Sequence, residues 1–399
     1  MKKLTLKDID LKGKRLLMRV DYNVPLDENQ KVSDDKRIQA SLPTIRYAIE
    51  QGARIILMSH LGRPKGNIVP EMSLKPVADR LGELLGKKVH FVTDCIGPEA
   101  EKGVQDLGDG DILLLENLRF HKEEEANDSD FSKQLAKLGD LYANDAFGSA
   151  HRAHASTVGV TDYFDTCLSG FLMEKELNYL GAAVSNPERP YVAILGGAKI
   201  TDKIPMIENL IEKVDQLLIG GGMAYTFFKA QGKEIGDSML DEASLDFAGE
   251  ILKSKGNKIK LPVDCLIANS FDFKLRQIGQ TKVVSIDQIP KGWQGLDVGP
   301  ETIKSFSSVC QNAKTIVWNG PLGVFEIETT AKGTMAIAQV LADVTGKGAT
   351  TIIGGGDSAS AVKKAGLSSK MSHVSTGGGA SLEFLQGKEL PGVVVLTDA

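Results

Sequence analysis

The stretch from Thr350 to Leu385 constrains the fold most. An apolar β-branched run, Thr351-Ile352-Ile353, breaks at Gly354-Gly355-Gly356 and leads into Asp357-Ser358. Such a run reads as a buried parallel strand, and Asp and Ser are residues that cap the free N–H groups of a helix start. The pattern returns at Val374-Ser375 and Gly377-Gly378-Gly379, with Ala380 to Leu385 as a second helix start. Two glycine turns that each open a helix are two places where bare N–H groups face an anion. Neither has GxxxxGK[ST] or GxGxxG spacing, so there is no Walker loop and no dinucleotide fingerprint. The pair, one with an acid at the helix mouth, implies phosphate handling.

The same strand–glycine–helix unit recurs upstream. Tyr191 to Leu195 runs into Gly196-Gly197-Ala198-Lys199, Gln216 to Ile219 into Gly220-Gly221-Gly222, and Thr315 to Trp318 into Asn319-Gly320-Pro321-Leu322-Gly323. Glycine there is expected to let backbone N–H groups approach phosphates or a flat base. Lys199 and Lys203, four apart, are expected on one face of a helix that opens at that point, where an anion between them offsets their repulsion.

The first half ends its strands differently. Leu16-Leu17-Met18 leads to Asp21-Tyr22-Asn23-Val24-Pro25, and Arg54 to Met58 to Ser59-His60-Leu61-Gly62-Arg63-Pro64. Asp111 to Leu115 leads to Glu116-Asn117-Leu118-Arg119, and Leu141-Tyr142-Ala143 to Asn144 through His151-Arg152-Ala153-His154. Arg37 opens a helix where the dipole favours acids, which hints at another use. Nine of the 11 arginines lie at or before position 152. Arginine's planar fork matches carboxylate and phosphate oxygens, so Arg37, Arg63, Arg119 and Arg152 suggest a small polyanionic metabolite. His151 and His154 lack a local third ligand, so an anion-facing loop led by Arg152 is expected there, not a metal. The acid-rich segment from His121 to Asp130 reads as solvated surface.

A chain of 399 residues, 42% apolar and 25% charged with net charge −5, fits two or three globular domains. No basic run suggests nucleic acid, no stretch nears a spanning helix, and the start lacks the apolar core of a signal peptide. Four dispersed cysteines fit buried thiols in a reducing cytosol. Phe171 to Pro190 reads as a helix closed by proline turns, a connector between two parallel-sheet α/β domains.

Ten segments resemble phosphoglycerate kinases in family order: LLMRVDYNVP, SHLGRP, ENLRF, NDAFGSAHRAHAS, GGAKITDK, GGGMAYTF, GWQGLDVGP, WNGPLGVFE, GGGDS and STGGGASLE. The departures are mild: Tyr22, Thr201 and Leu322 stand where the family often has Phe, Ser and Met. The resemblance implies two Rossmann-like lobes: 1–171 binding phosphoglycerate, 172–189 a helical hinge, 190–385 binding nucleotide, and 386–399 returning to the first lobe. It implies the reversible reaction of 1,3-bisphosphoglycerate and ADP to 3-phosphoglycerate and ATP, with Mg²⁺, and a monomer; a cytoplasmic location without nucleic-acid or membrane partners is expected from the missing targeting, spanning and basic segments. Asp21, Tyr22, Asn23, Arg37, His60, Leu61, Gly62, Arg63, Arg119 and Arg152 are the implied phosphoglycerate residues. Gly197, Lys199, Lys203, Gly221, Gly295, Asn319, Pro321, Glu326, Gly355, Gly356, Asp357 and Ser358 are the implied nucleotide residues, with Asp357 on the metal. Arg37, Lys199, Lys203, Gly356 and Gly379 are the implied catalytic set. A rival from another class is a non-catalytic binding protein, which loss of Arg37, Lys199 or Asp357 favours; all three are present. A nicotinamide dehydrogenase lacks its fingerprint here.

Overall fold

Two six-stranded parallel sheets organise residues 2–399, the residues this computed structural model describes. The first is built from β1 (Arg15–Val20), β2 (Arg54–Met58), β3 (His90–Phe91), β4 (Ile112–Leu114), β5 (Leu141–Asp145) and β6 (Cys167–Ser169). Their order is β3-β4-β2-β1-β5-β6, and each neighbouring pair is parallel. A parallel sheet is covered on both faces, which is why Leu16, Leu17, Ile55, Ile56 and Leu57 are all fully buried without polar alternation. From β1 the chain moves to one side through β2 and returns on the other at β5. The topological switch therefore lies at the carboxyl ends of β1 and β5, where such sheets place ligands.

The second sheet contains β7 (Tyr191–Leu195), β8 (Gln216–Ile219) and β9 (Ile259–Lys260). A small insertion follows: β10 (Asp264–Ala268), β11 (Phe271–Asp272), β12 (Gln277–Ile278), β13 (Thr281–Ser285) and β14 (Gln294–Val298). The sheet is completed by β15 (Thr315–Asn319), β16 (Thr350–Gly354) and β17 (His373–Val374), in the order β17-β16-β15-β7-β8-β9, again all parallel. Its switch lies between β7 and β15, whose exits are the Gly196 and Asn319 turns. The antiparallel trio β13-β10-β14 was not expected from the sequence. β13 is mostly exposed and carries no apolar run to announce itself.

The chain forms two compact units. One extends to Asn178 and resumes at Glu389–Ala399; the other is Tyr179–Lys388. The helix Phe171–Ser185 runs across the division. Within the first unit the chain end pairs with β6: the Thr397 N–H donates to the Cys167 carbonyl, and Thr397 Oγ1 accepts from the Cys167 N–H, both at 3.0 Å.

Three local expectations are corrected. The helix after β7 begins at Ile204, behind a single 3₁₀ turn over Thr201–Lys203, so Lys199 precedes any helix and shares no helical face with Lys203. The helix Gly356–Lys364 is entered through Gly355 at φ +84° with no side-chain cap, so Asp357 and Ser358 lie inside its first turn. The acid-rich segment is not solvated throughout: it folds into a short helix, Lys122–Glu125, with Glu124 fully buried.

Candidate active site

Each unit carries a candidate site at its own switch point. In the first, the residues after β1 turn out at Asp21, whose two oxygens accept from Arg37 Nη1 at 2.8 Å each. The Asn23 carbonyl oxygen Oδ1 accepts from the Gly62 N–H (2.9 Å), and Arg119 Nη1 donates to the Gly62 carbonyl (2.9 Å). The exits of β1, β2 and β4 thus form one hydrogen-bonded rim. Gly62 stands at φ +65°, and a Cβ there would sit 2.8 Å from Met72 Sδ, so the turn requires glycine.

His60 lies beneath this rim, 6% exposed, with Nδ1 3.0 Å from Arg19 Nη2. A guanidinium only donates, so Nδ1 accepts and the neutral ring carries its proton on Nε2. Burial first, then Arg19, Arg119 and Arg37, hold the His60 pKa well below its ordinary value. His154 is pushed down to about 4 by burial and by Arg119, Arg19 and Arg152. Two histidines are therefore neutral at pH 7 among four guanidiniums. Three of these guanidiniums have a carboxylate near them: Asp21 for Arg37, Glu125 at 3.4 Å for Arg119, and Glu124 through Ser156 for Arg19.

The structure thus brings Arg37, His60, Arg119 and Arg152 together, while Arg63 stands exposed on the rim loop. Tyr22 and Leu61 do not present side chains: Tyr22 is fully buried with its hydroxyl 2.9 Å from Ser41 Oγ, and Leu61 is buried too. Sequence reasoning overlooked Arg19 and Glu124. Arg19 Nε donates to Ser156 Oγ (2.8 Å), which donates to Glu124 Oε1 (2.6 Å), and the Ser156 N–H donates to Glu124 Oε2 (2.9 Å). A lone arginine inside the apolar β1 run was the available signal; nothing marks Glu124 among its neighbouring acids.

In the second unit a cavity of about 320 Å³ is lined by Gly197, Gly221, Gly295, Pro321, Glu326 and Asp357, with Tyr225 and Phe228 on its apolar side. Its glycines act differently from expectation. The Gly197 and Gly221 N–H groups donate to the Pro321 and Leu322 carbonyls, at 3.0 Å each. A Cβ on Gly196 would sit 2.1 Å from the Pro321 carbonyl oxygen, and one on Gly295 1.7 Å from the Tyr225 hydroxyl. Gly196, Gly197 and Gly221 let the exits of β7, β8 and β15 pack backbone against backbone, and Gly295, inside β14, makes room for the Tyr225 side chain, which leaves a flat wall. The donors are spent inside the protein.

Free donors lie elsewhere. The uncapped first turn at Gly356–Ser358 opens beside the cavity, although Ser358 itself is buried, its Oγ accepting from the Gly320 N–H (2.6 Å). Lys203 Nζ donates to Asn319 Oδ1, and the buried Asn319 Nδ2 has no hydrogen-bond partner among the described residues. Burial lowers the Lys203 pKa to about 8, against the opposing pull of Asp357 and Asp202. Lys199 is exposed. Gly379 begins the seven-residue helix Gly379–Leu385, which also lacks a side-chain cap.

Asp297 also lines the cavity and was quoted in sequence only as part of a motif. Its Oδ2 accepts from the Gly333 N–H (2.8 Å), and burial pushes its pKa up to about 7. The folded state therefore holds a proton that the unfolded chain releases near pH 4. Stability contributed by this proton is present below pH 4 and is lost as pH rises toward 7, at no more than about 1.4 kcal/mol per pH unit. Asp297→Asn keeps an acceptor for Gly333 and is expected to flatten this part of the melting-temperature profile between pH 4 and 7. Parallel profiles for the two proteins would refute the assignment.

The comparisons with known proteins agree with this architecture. The family model described as phosphoglycerate kinase matches residues 6–388. The chain is 57% identical over 401 residues to the phosphoglycerate kinase of Chlorobium chlorochromatii, covering 100% of both chains. It is 56% identical over 398 residues to the cytosolic phosphoglycerate kinase of Nicotiana tabacum, covering 99% of this chain and 98% of that one. Among solved structures, the phosphoglycerate kinase of Coxiella burnetii superposes with a TM-score of 0.89 at 42% identity, and that of Pyrococcus horikoshii with 0.83 at 33%, each covering 98% of both chains. With this identity along its whole length and the same two-sheet architecture, the chain belongs to the phosphoglycerate kinase family.

Proposed function

We propose that the chain transfers a phosphoryl group reversibly between ATP and 3-phosphoglycerate, giving ADP and 1,3-bisphosphoglycerate. The first unit binds the phosphoglycerate through Asp21, Asn23, Arg37, His60, Arg63, Arg119 and Arg152. The second binds the nucleotide along the flat glycine wall, with its phosphates toward Lys199, Lys203, Asn319 and the helix mouth at Gly355–Ser358. The observation that carries this reading is the convergence of Arg37, His60, Arg119 and Arg152 at the exits of β1, β2 and β4, a set of donors matched to a polyanion.

The donor set in the second unit fits Mg²⁺. Asp357 is one exposed carboxylate at the cavity wall, and this cation is commonly held by one or two carboxylates together with substrate phosphates. Mg²⁺, when bound, neutralises charge on the nucleotide phosphates. The chain's own residues supply the rest. Both attacking groups, a carboxylate in one direction and an ADP phosphate oxygen in the other, are already ionised, so no general base is required. Catalysis then consists of positioning and of stabilising charge on the transferring oxygens, by Arg37, Lys199 and Lys203 and by the N–H groups at Gly356 and Gly379. Because acceptor and donor belong to different units, transfer requires closure through the helix Phe171–Ser185, which also excludes water. We assign the chain to the cytoplasm as a monomer acting on small molecules, in keeping with its four buried free thiols.

Coupled turnover tests the reaction: ATP, Mg²⁺ and 3-phosphoglycerate with glyceraldehyde-3-phosphate dehydrogenase, following loss of NADH. Turnover is expected to require all three. Ligand binding without turnover would reject the catalytic reading. Closure is expected as a smaller radius of gyration by small-angle scattering with both substrates than with either one, and an unchanged radius would reject it.

A further inference from the structure

β3 and β4 are neighbours in the first sheet, and the loops leaving their carboxyl ends carry Asp94-Cys95 and His121. A carboxylate oxygen, the thiol sulfur and a ring nitrogen of these residues lie within 4.8 Å of one another. Among the described residues this is the one cluster of three or more such side chains. It is distinct from both sites above, and neither the phosphoglycerate pocket nor the nucleotide cavity uses it.

The cluster is closed below and open above. Cys95 is 1% exposed, while the side chains of Asp94 and His121 are 44% and 28% exposed. The carboxylate is already oriented: Asp94 Oδ1 accepts from the Cys95 N–H (2.6 Å) and lies 2.7 Å from His121 Nε2. His121 is steadied on its other side by the Phe131 ring, 5.2 Å away. Tetrahedral coordination at about 2.0–2.3 Å places ligand atoms roughly 3–4 Å apart, so partly exposed Asp94 and His121 need to move only by about an ångström.

We propose that Asp94, Cys95 and His121 form a three-ligand site for a borderline-soft divalent cation of the Zn²⁺ or Co²⁺ class, with the fourth position open to solvent. On binding, the Cys95 S–H bond breaks, its proton passes to water, and the sulfur lone pair forms the metal–sulfur bond. The His121 Nε2–H bond to Asp94 breaks, that proton moves through water to Nδ1, and the freed Nε2 lone pair forms the metal–nitrogen bond; no electron is exchanged. A thiolate in the set disfavours Mg²⁺, separating this site from any nucleotide-bound cation. Occupancy ties the loop after β3 to the loop after β4, which carries Arg119 two residues before His121.

The test uses the full, reduced chain after chelator treatment and titration with Co²⁺. A near-ultraviolet thiolate-to-cobalt charge-transfer band saturating at one equivalent is expected, displaced by Zn²⁺ and not by a large excess of Mg²⁺. Because a proton is released, apparent affinity rises with pH. Cys95→Ser is expected to abolish the band. His121→Gln is expected to weaken cobalt binding more than about tenfold, since loss of outer-shell partners alone costs that much. Far-ultraviolet circular dichroism confirms that both variants are folded. No band in the parent, a band surviving Cys95→Ser (and so arising from Cys167, Cys265 or Cys310), displacement by Mg²⁺, or parental affinity in folded His121→Gln would each overturn the site.

Discussion

Lys203→Ala is expected to lower turnover by on the order of 10²–10³ and to leave the fold at least as stable as before. The two halves of this expectation share one cause. Burial has lowered the Lys203 pKa from 10.5 to about 8, so the folded protein holds this ammonium less readily than the unfolded chain does. A depressed lysine is a strain on folding below pH 8 that is relieved as pH rises from 8 toward 10.5. Its hydrogen bond goes to Asn319, whose own Nδ2 remains unpartnered. Such an arrangement is poor structural design and good preparation for a phosphate, whose charge raises the lysine pKa and restores full ionisation. In the free enzyme the cation is lost above about pH 8, so kcat/KM for the nucleotide is expected to fall there. The coupled assay gives turnover and its pH profile, and thermal unfolding gives stability. Near-parental turnover would reject the role. Lost turnover together with a lowered melting temperature would make Lys203 a structural residue.

The parallel sheets were legible in the sequence because strands covered on both faces read as unbroken apolar runs ending at glycine or at polar loops. Arg54 to Met58 and Tyr191 to Leu195 are such runs, and both are strands with those bounds. The exits of those strands were legible too, which is why so many of the expected site residues lie at the two switch points. Illegible features depend on contacts distant in sequence. The flat wall at Gly295 exists because Tyr225, 70 residues away, lies where a side chain would be. The glycine N–H groups looked available for phosphate, yet the turns after β7, β8 and β15 consume them in bonding to one another. Glu124 was read as surface because its neighbours are acids, and only the fold reveals Ser156 and Arg19 opposite it.

Replacing Arg19 by Met is expected to destabilise the first unit by about 3–5 kcal/mol, the cost typical of removing one partner from a buried charge pair. Arg19 is 1% exposed and Glu124 fully buried, and the two are bridged by Ser156 Oγ. Without the guanidinium, Ser156 Oγ, His60 Nδ1 and the Val20 carbonyl all lose a donor, and Glu124 loses the cation that most strongly opposes its burial. Glu124→Gln keeps an acceptor for Ser156 and leaves Arg19 unbalanced instead. If the three residues act as one unit, Arg19→Met with Glu124→Gln costs less than the two singles added, by about 0.5–3 kcal/mol. Urea unfolding followed by far-ultraviolet circular dichroism measures all four corners of the cycle, and additivity within about 0.5 kcal/mol would show the charges to be uncoupled. The consequence for function follows from the tautomer. Arg19 is what compels His60 Nδ1 to accept, so its removal frees the ring to present either nitrogen. KM for 3-phosphoglycerate is then expected to rise in Arg19→Met and to stay near parental in Glu124→Gln, where the Arg19–His60 bond survives.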